Sequence, residues 1–296
     1  MYNLRYHIAS LVAVFFALAV GLLLGTVVAE RGMLDDQGVA LVQGLQTRFD
    51  EISAKNEELE AGLERDRAFA ADVVGPLTAE KLSGMNIAVV APPDGADTVE
   101  AARAAIEQAG GTVITVTLGT PALGLEQAEP EGLAGFLQLL NVEIASPGEE
   151  LVSQVVDALA AEWRAGDARP LTELLVTNGL MAVESTPGTA TIDAVVVAGG
   201  EAGTCDPVAR ALAQRFADDE ARAVGVELSL REDGVAAVCS GDGLPAVDHL
   251  AMPQGRYSFI AILAGLADGY YGTGEGADGL WHGHHASETV SGNIAD

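Results

Sequence analysis

The sequence predicts an α/β protein with a single N-terminal transmembrane helix, a parallel dimeric coiled-coil stalk, and a doubly wound, mostly parallel α/β domain. Three observations lead to this prediction. An uncharged apolar run covers residues 8–29, apolar residues spaced alternately by three and four follow between 42 and 63, and from residue 86 short apolar strands alternate with amphipathic helices. These patterns are typical of a bilayer span, a coiled coil, and a parallel sheet covered by helices.

The composition limits what the protein can bind. The 296 residues include 15 Lys and Arg against 43 Asp and Glu, which gives a net charge of −28, and no basic residue lies between Arg103 and Arg164. Nucleic-acid binding requires clustered cations that neutralise phosphates, so nucleic acid is excluded as a partner. The 49% hydrophobic content predicts a folded core.

Residues 8–29 contain 22 consecutive uncharged residues, which form about 33 Å of helix and match the hydrocarbon thickness of a bilayer. We expect an uncleaved, single-pass span in the cell membrane. A cleaved signal peptide is the alternative, because small residues precede Glu30, but the apolar run is longer than such peptides usually have. Arg5 and Arg31 balance each other, so the N-terminal amine and His7 place residues 1–7 in the cytoplasm and the C-terminal domain outside it.

The stalk is predicted over residues 30–75, with a short break at 30–38 before its heptad repeat. Asn56 and six apolar residues fill the a and d positions of a heptad repeat, and these apolar residues are Val42, Leu45, Phe49, Ile52, Leu59 and Leu63. A buried Asn at an a position favours two parallel strands and fixes their register, and Lys55 at g faces Glu60 at the partner's e position. We expect a homodimer through residues 42–66. An amphipathic helix that packs on its own domain is the alternative, and the helix is expected to stop at Gly75 and Pro76.

Residues 84–280 are predicted to form the α/β domain. Strands are expected at 86–91 and 112–118, near 174, at 192–199, at 223–228 and at 235–240. Helices are expected at 97–109, near 133, at 149–164 and at 206–216. Continuous apolar strands that alternate with helices indicate a mostly parallel sheet with both faces covered.

The glycine-rich stretches predict no catalytic site. Gly199, Gly200 and Gly203 lie between a strand and a helix, where phosphate-binding turns occur, but the full G-x-G-x-x-G spacing is missing and nearby acidic residues would repel a phosphate. We therefore expect a tight structural turn. The stretch YYGTGEGA at 270–277 follows a helical pattern instead of a strand. Because no nucleophile elbow, Walker lysine or H-E-x-x-H motif is present, the chain is predicted not to be an enzyme.

Cys205 and Cys239 each follow a predicted strand, at what would be its carboxyl end. Neighbouring strand ends can bring two cysteines within bonding distance. In an extracytoplasmic domain a disulfide is the first interpretation for such a pair. A Cu(I)-thiolate site and two unlinked buried thiols remain as alternatives.

Three of the five histidines, His282, His284 and His285, lie in the stretch LWHGHHAS, within the predicted C-terminal tail at 281–296. They are candidate metal ligands, and copper is the possible metal. Glycine-rich sequence precedes them and a polar stretch follows, so nothing in the sequence arranges the imidazoles in advance. We therefore favour a flexible tail over a built metal site.

The chain as a whole resembles a known family. The stretch NLRYHIASLVAVFFALAVGLLLGT, with its Leu4-Arg5-x-His7 start, and the late stretch GRYSFIAILAGLADGYYGTGEGA, with Tyr271-Gly272-Thr273-Gly274, are the most specific parts. With the coiled coil and the α/β pattern between them, they are similar to the MctB family of copper transport outer membrane proteins, also called SteB-like envelope proteins.

The resemblance implies a role in limiting intracellular copper, with export as the proposed activity. For SteB-like members it implies instead a dimeric envelope scaffold that acts in cell division and cell separation through a partner protein. No family catalytic motif is carried over to this sequence. Two hypotheses follow: a copper-homeostasis membrane protein, and an envelope interaction protein.

Overall fold

The computed structural model describes residues 4–30, 33–127, 135, 138–139, 149–184, 190–203 and 205–283. The chain divides into two compact units, Met1–Asp66 and Arg67–Asp296. The helix predicted near residue 133 and the candidate ligands His284 and His285 lie outside the described residues.

Two long helices occupy the N-terminal part of the chain, α1 (Leu4–Glu30) and α2 (Met33–Thr78). Within α1, Tyr6–Val27 is long and apolar enough to cross a membrane, with a mean hydropathy of 2.6, and none of its residues is buried. This stretch overlaps the predicted span at 8–29. The helix carries apolar side chains around its whole circumference, as a lipid-facing helix does.

Helix α2 begins and ends at positions that differ from those expected for the stalk helix. Helix α2 begins at Met33, inside the expected break, and continues past Pro76 to Thr78. A proline so near the end removes only one hydrogen bond of the last turns, and the Thr78 hydroxyl donates to the Val74 carbonyl at 2.9 Å in the same last turn. The apolar a and d side chains of α2 are exposed. The structure contains one chain, so the parallel dimer stays a prediction.

The α/β domain is built on a seven-stranded sheet in the order β3-β2-β1-β4-β5-β6-β7. All neighbouring strands are parallel except β2 and β3, which are antiparallel. The strands are β1 (Asn86–Ala91), β2 (Thr112–Leu118), β3 (Met181–Glu184), β4 (Ala194–Ala198), β5 (Arg222–Val226), β6 (Ala246–Val247) and β7 (Tyr270–Tyr271). The predicted mostly parallel sheet is therefore confirmed.

Helices cover both faces of this sheet. They are α3 (Ala96–Gln108), α4 (Glu149–Ala165), α5 (Pro170–Thr177), α6 (Pro207–Asp218), α7 (Val235–Gly241) and α8 (Pro253–Leu263). Alternate residues of the central strands point to opposite faces, so that Val90 joins a core with α4 and α6 while Val89 joins a second core with α3 and α8. A short 3-10 segment follows β2 at Pro121–Gln127.

Two predicted strands are helices. The segment near 174 is α5, with Pro170 in its first turn, and the segment at 235–240 is α7. A short apolar run has the same pattern in a buried strand and a buried helix, which explains both errors. The stretch YYGTGEGA follows helix α8, as expected, but it begins with the short strand β7, so that a strand directly precedes Gly272.

Candidate functional site

Four turns of the α/β domain meet at one edge of the sheet, because parallel strands end on the same side. Asp94 follows β1, Gly199 and Gly200 follow β4, Glu227 follows β5, and Asp248 follows β6. The strand order reverses between β1 and β4, since β2 lies on one side of β1 and all later parallel strands lie on the other. Open α/β sheets commonly bind ligands at such a point.

The turn after β4 is filled by the chain itself. The backbone amide of Ala202 donates to Asp94 Oδ2 at 2.9 Å, and a Cβ atom on Gly200 would overlap the Asp94 carboxylate. Gly203 has φ +72 and donates its amide to the Gly200 carbonyl at 3.1 Å, which closes the turn. An aspartate therefore takes the place where a phosphate would lie, in agreement with the structural turn expected from the sequence.

A second aspartate, Asp248, fills the glycine turn after β7. Its carboxylate is fully buried and accepts hydrogen bonds from the backbone amides of Thr273, at 2.9 Å, and Gly274, at 2.7 Å. The Tyr270 hydroxyl donates to Asp248 Oδ2 at 2.7 Å, and His249 Nδ1 lies 3.0 Å from Oδ1. Two backbone amides, a phenol and an imidazole thus surround one carboxylate.

These contacts determine the ionisation of the network. Burial acts to raise the pKa of Asp248, but the hydrogen bonds from His249, Tyr270 and the two backbone amides hold it below its ordinary value. Burial, together with the same carboxylate, raises the pKa of Tyr270. The network therefore favours an ionised Asp248 beside a neutral Tyr270.

Glu227 lies at the same edge with one of its carboxylate oxygens unpartnered. Its side chain is 2% exposed, Oε1 accepts from the Ala236 amide at 2.6 Å, and Oε2 has no hydrogen-bond partner. Burial raises the pKa of Glu227, and the charge of Asp248 adds to this effect. A Cβ atom on Gly234 would overlap its carboxylate, so the absence of a side chain there makes room for it.

The sequence interpretation did not identify Asp248, His249 or Glu227. The available signal was that an acidic residue directly follows an apolar strand in both RAVGVE and PAVDH. Strand β6 is only two residues long and was not predicted, so Asp248 could not be recognised as a residue that follows a strand.

The structure places His282 on the surface of the α/β domain, although the sequence assigned it to the tail. Its backbone amide donates to the Ser258 hydroxyl at 2.9 Å, and Nδ1 lies 3.4 Å from the Tyr271 hydroxyl. The imidazole stacks on Tyr257, with ring centroids 6.3 Å apart. Among the described residues, no group of three or more His, Cys, Asp or Glu side chains is arranged to hold a metal ion.

The two cysteines come from different elements and meet beside the sheet. Cys205 lies in the loop between β4 and α6, Cys239 lies on α7, and both belong to the same apolar core. Both are free thiols, so the predicted disulfide is not present in the structure. Cys239 follows no strand, contrary to the prediction, but α7 nevertheless brings it to Cys205.

The two thiols interact. A hydrogen bond from Cys239 lowers the pKa of Cys205, and Arg210 adds to this effect, while burial opposes it. The same hydrogen bond, followed by burial, raises the pKa of Cys239. Arg210 is held close by its ion pair with Asp242. Cys205 is thus the thiol that ionises first, and it is also the more exposed of the two.

Known proteins match this chain along most of its length. A family model described as copper transport outer membrane protein, MctB, matches residues 1–281. The copper transporter MctB of Mycobacterium tuberculosis is 27% identical over an aligned length of 316 residues, and the alignment covers 94% of this chain and 98% of the relative. The protein of the same name in Mycobacterium bovis gives the same values.

The copper transporter MctB of Mycobacterium leprae is 29% identical over 183 residues, which cover 60% of this chain and 54% of the relative. No solved structure matches the chain. The family model covers the apolar helix α1, helix α2 and the α/β domain up to Trp281. The chain therefore belongs to the MctB family.

Proposed function

We propose that this protein acts in copper transport and copper homeostasis, as a single-pass membrane protein whose α/β domain lies outside the cytoplasm. The observation that carries the proposal is the family match over residues 1–281, because it includes the apolar helix as well as the domain. Relatives that align with 94% of the chain are named copper transporters.

The sheet edge supports a role other than nucleotide chemistry. Both glycine turns that resemble phosphate-binding sites hold aspartates of the chain itself, Asp94 and Asp248. An anion in the same position would have to displace a carboxylate that is already hydrogen-bonded. We therefore propose a protein that binds or passes copper without a nucleotide-driven step, and the absence of enzymatic activity stays a prediction.

A deletion strain of the host organism tests the proposed function. We expect deletion to raise intracellular copper and to lower the copper concentration that stops growth, and expression of the full chain to restore both. Intracellular copper is measured by mass spectrometry of washed cells. Zinc tolerance, measured in parallel, is the control for general envelope damage. Unchanged copper content and tolerance in the deletion strain would contradict the proposal.

The orientation is a separate part of the proposal. We expect residues 1–7 in the cytoplasm and the domain after Thr78 outside it, on the basis of the N-terminal amine and His7. Protease added to intact, wall-stripped cells should digest the α/β domain and leave a cytoplasmic marker protein uncut. Protection of the domain, under conditions in which a known external domain is digested, would reverse the assignment.

The oligomeric state completes the proposal. Helix α2 presents the a and d side chains Val42, Leu45, Phe49, Ile52, Leu59 and Leu63, all of them exposed in the single chain. Burial of such side chains stabilises an association by about 1.5–3 kcal/mol for each one fully buried. We propose that a second copy covers them in a parallel homodimer. The comparisons name copper transport and give no support to the cell-separation alternative, which we do not propose.

A further inference from the structure

We propose that Cys205 and Cys239 form a two-thiolate binding site for Cu(I). The inference rests on the proposed copper function for its physiological meaning, but the binding itself is a property of the described domain. The thiols are 34 positions apart in the chain, and the fold brings them together from the loop after β4 and from α7.

The space around Cys239 favours a built site over an accidental contact. Cys239 is fully buried, and its thiol lies over Gly225 of strand β5. A Cβ atom on Gly225 would be 2.5 Å from Cys239 Sγ, which is too close for any side chain. The missing side chain on the strand therefore makes room for the sulfur.

The two thiols differ in access. Cys205 is partly exposed, whereas Cys239 is buried. An ion that arrives from solvent would meet Cys205 first and would then be held between both sulfurs. Burial of the second ligand shields the bound ion from water.

The ligand set selects the metal. Cu(I) is a soft ion that prefers thiolates and is stable with only two of them, whereas structural Zn(II) usually requires four ligands. In the part of the chain that the structure describes, no third His, Cys, Asp or Glu completes a metal site around the pair. Two sulfurs without further ligands favour Cu(I) over Zn(II) and Cu(II).

Binding of Cu(I) by the two thiols changes the charge of the site. Binding forms two S–Cu bonds and releases two thiol protons to solvent, and copper stays Cu(I) throughout. The resulting centre carries one negative charge. The guanidinium of Arg210 is the positive group beside both sulfurs, and the carboxylates of Asp206 and Asp242 lie near Cys205 as well, so Arg210 offsets only part of the negative charge. The ion pair of Arg210 with Asp242 fixes its position at the end of α7.

The test uses the full chain, purified in detergent without oxygen and in the reduced state. Cu(I) is titrated against a chromophoric Cu(I) chelator, and we expect one Cu(I) bound per chain. Cys205→Ser and Cys239→Ser should each lower the affinity by about a hundredfold or more, since loss of a direct ligand exceeds the tenfold to hundredfold effect of an outer contact. Ser240→Ala, next to Cys239, and His282→Ala are the matched controls and should bind like the native chain.

X-ray absorption of the Cu(I)-loaded protein gives a second readout, for which we expect sulfur neighbours and no nitrogen. Thermal unfolding followed by circular dichroism shows whether each variant is folded. Cys205→Ser is the decisive variant, because its partly exposed position tolerates the hydroxyl. Unchanged binding in folded Cys205→Ser, no Cu(I) binding by the reduced native chain, or equally tight binding of Zn(II) would each overturn the proposal.

This test and the test of the proposed function fail in different ways. If the chain binds no Cu(I) but the deletion strain is sensitive to copper, the copper function stands and the thiol site is wrong. If Cu(I) binds to the thiols but deletion leaves copper tolerance unchanged, the site stands and the proposed function is wrong. A deletion strain that regains tolerance with the double serine variant would remove the thiols from copper transport.

Discussion

The two units of the chain treat their apolar side chains in opposite ways. In the helical part, the large apolar residues at 6–27 and 41–63 are exposed, and Leu59 keeps 56% of its surface accessible. In the α/β domain, the apolar residues of the central strands β1 and β4 are buried against helices on both faces. The residue types are similar, so the difference lies in what each fold can cover.

A helix satisfies its own backbone hydrogen bonds but cannot bury its own side chains, whereas a sheet with helices on both faces does both. The α/β domain is therefore complete within one chain. Helices α1 and α2 need cover from outside, for which we propose lipid around α1 and a second copy along α2. The comparison thus separates a domain that stabilises itself from a segment that depends on its surroundings.

Removal of residues 1–32 should have the largest effect, because it removes the only segment among the described residues that is long and apolar enough to span a bilayer. We expect the full chain in membranes after a carbonate wash and the shortened chain in the soluble fraction. A chain in which an unrelated spanning helix replaces residues 1–32 is the control and should return to membranes. Retention of the shortened chain in washed membranes would show that another segment anchors it.

Cross-linking tests the second external partner. In a chain with Cys205 and Cys239 replaced by serine, Leu59→Cys at a d position should form a covalent dimer under mild oxidation. Glu57→Cys, on the outward face of α2, is the matched control and should remain mostly monomeric. The measurement is the dimer fraction on a non-reducing gel, and equal fractions would indicate random collision instead of a coiled coil.

A change inside the α/β domain should act without any partner. Asp248→Ala removes the acceptor of two backbone amides and of the Tyr270 hydroxyl, and we expect it to lower the free energy of unfolding by about 3–5 kcal/mol. Asp233→Ala, at an exposed position, should change it by less than about 0.5 kcal/mol. Urea unfolding followed by near-UV circular dichroism measures both, and equal stability of the two variants would mean that the network contributes little.

The smallest effect concerns the pH dependence at Glu227. Because burial raises its pKa, the folded state holds the proton more tightly than the unfolded chain, so the stabilisation from Glu227 is present at low pH and is lost as pH rises through the folded pKa. Glu227→Gln removes this loss. Relative to the native chain, the variant should gain stability as pH increases from about 4 to about 8.

The exposed Glu232→Gln variant is the control for this measurement, and its stability should follow that of the native chain at every pH. Asp248 has the opposite sign. Its lowered pKa gives a stabilisation that is present above the ordinary aspartate value and is lost as pH falls through the folded pKa. Loss of stability at low pH in both the native chain and Glu227→Gln is therefore expected from Asp248.

Local sequence patterns were sufficient to predict most of the longer helices and strands. The apolar helix α1, the strands β1, β2, β4 and β5, and the helices α3, α4 and α6 were all predicted, the strands as continuous apolar runs and the amphipathic helices from the helical spacing of their apolar residues. The errors at α5 and α7 occurred in short apolar runs, in which period and length cannot separate helix from strand. The two-residue strands β6 and β7 are defined by pairing with a neighbour, which no local pattern contains.

The candidate sites divide in the same way. The sequence identified Cys205, Cys239 and His282 by residue type, but their surroundings depended on chain segments far away. Asp248 was not predicted as a site residue because the backbone amides that donate to it, those of Thr273 and Gly274, lie about 25 positions later in the chain. Residue type alone does not indicate whether a carboxylate is buried, or which amides it accepts from.

By itself, the sequence determined that this protein has a bilayer-length apolar helix, a heptad pattern behind it, a mostly parallel α/β domain and a strongly acidic composition. These properties follow from composition and period, which are local quantities. Only the tertiary structure decided that Asp94 and Asp248 fill the glycine turns, that Glu227 is buried with an unpartnered oxygen, and that Cys239 packs over Gly225 in the same core as Cys205. The physical reason is that burial and hydrogen bonding join residues far apart in the chain. The free energies of these interactions depend on the packed arrangement of the side chains and not on the spacing of residues in the sequence.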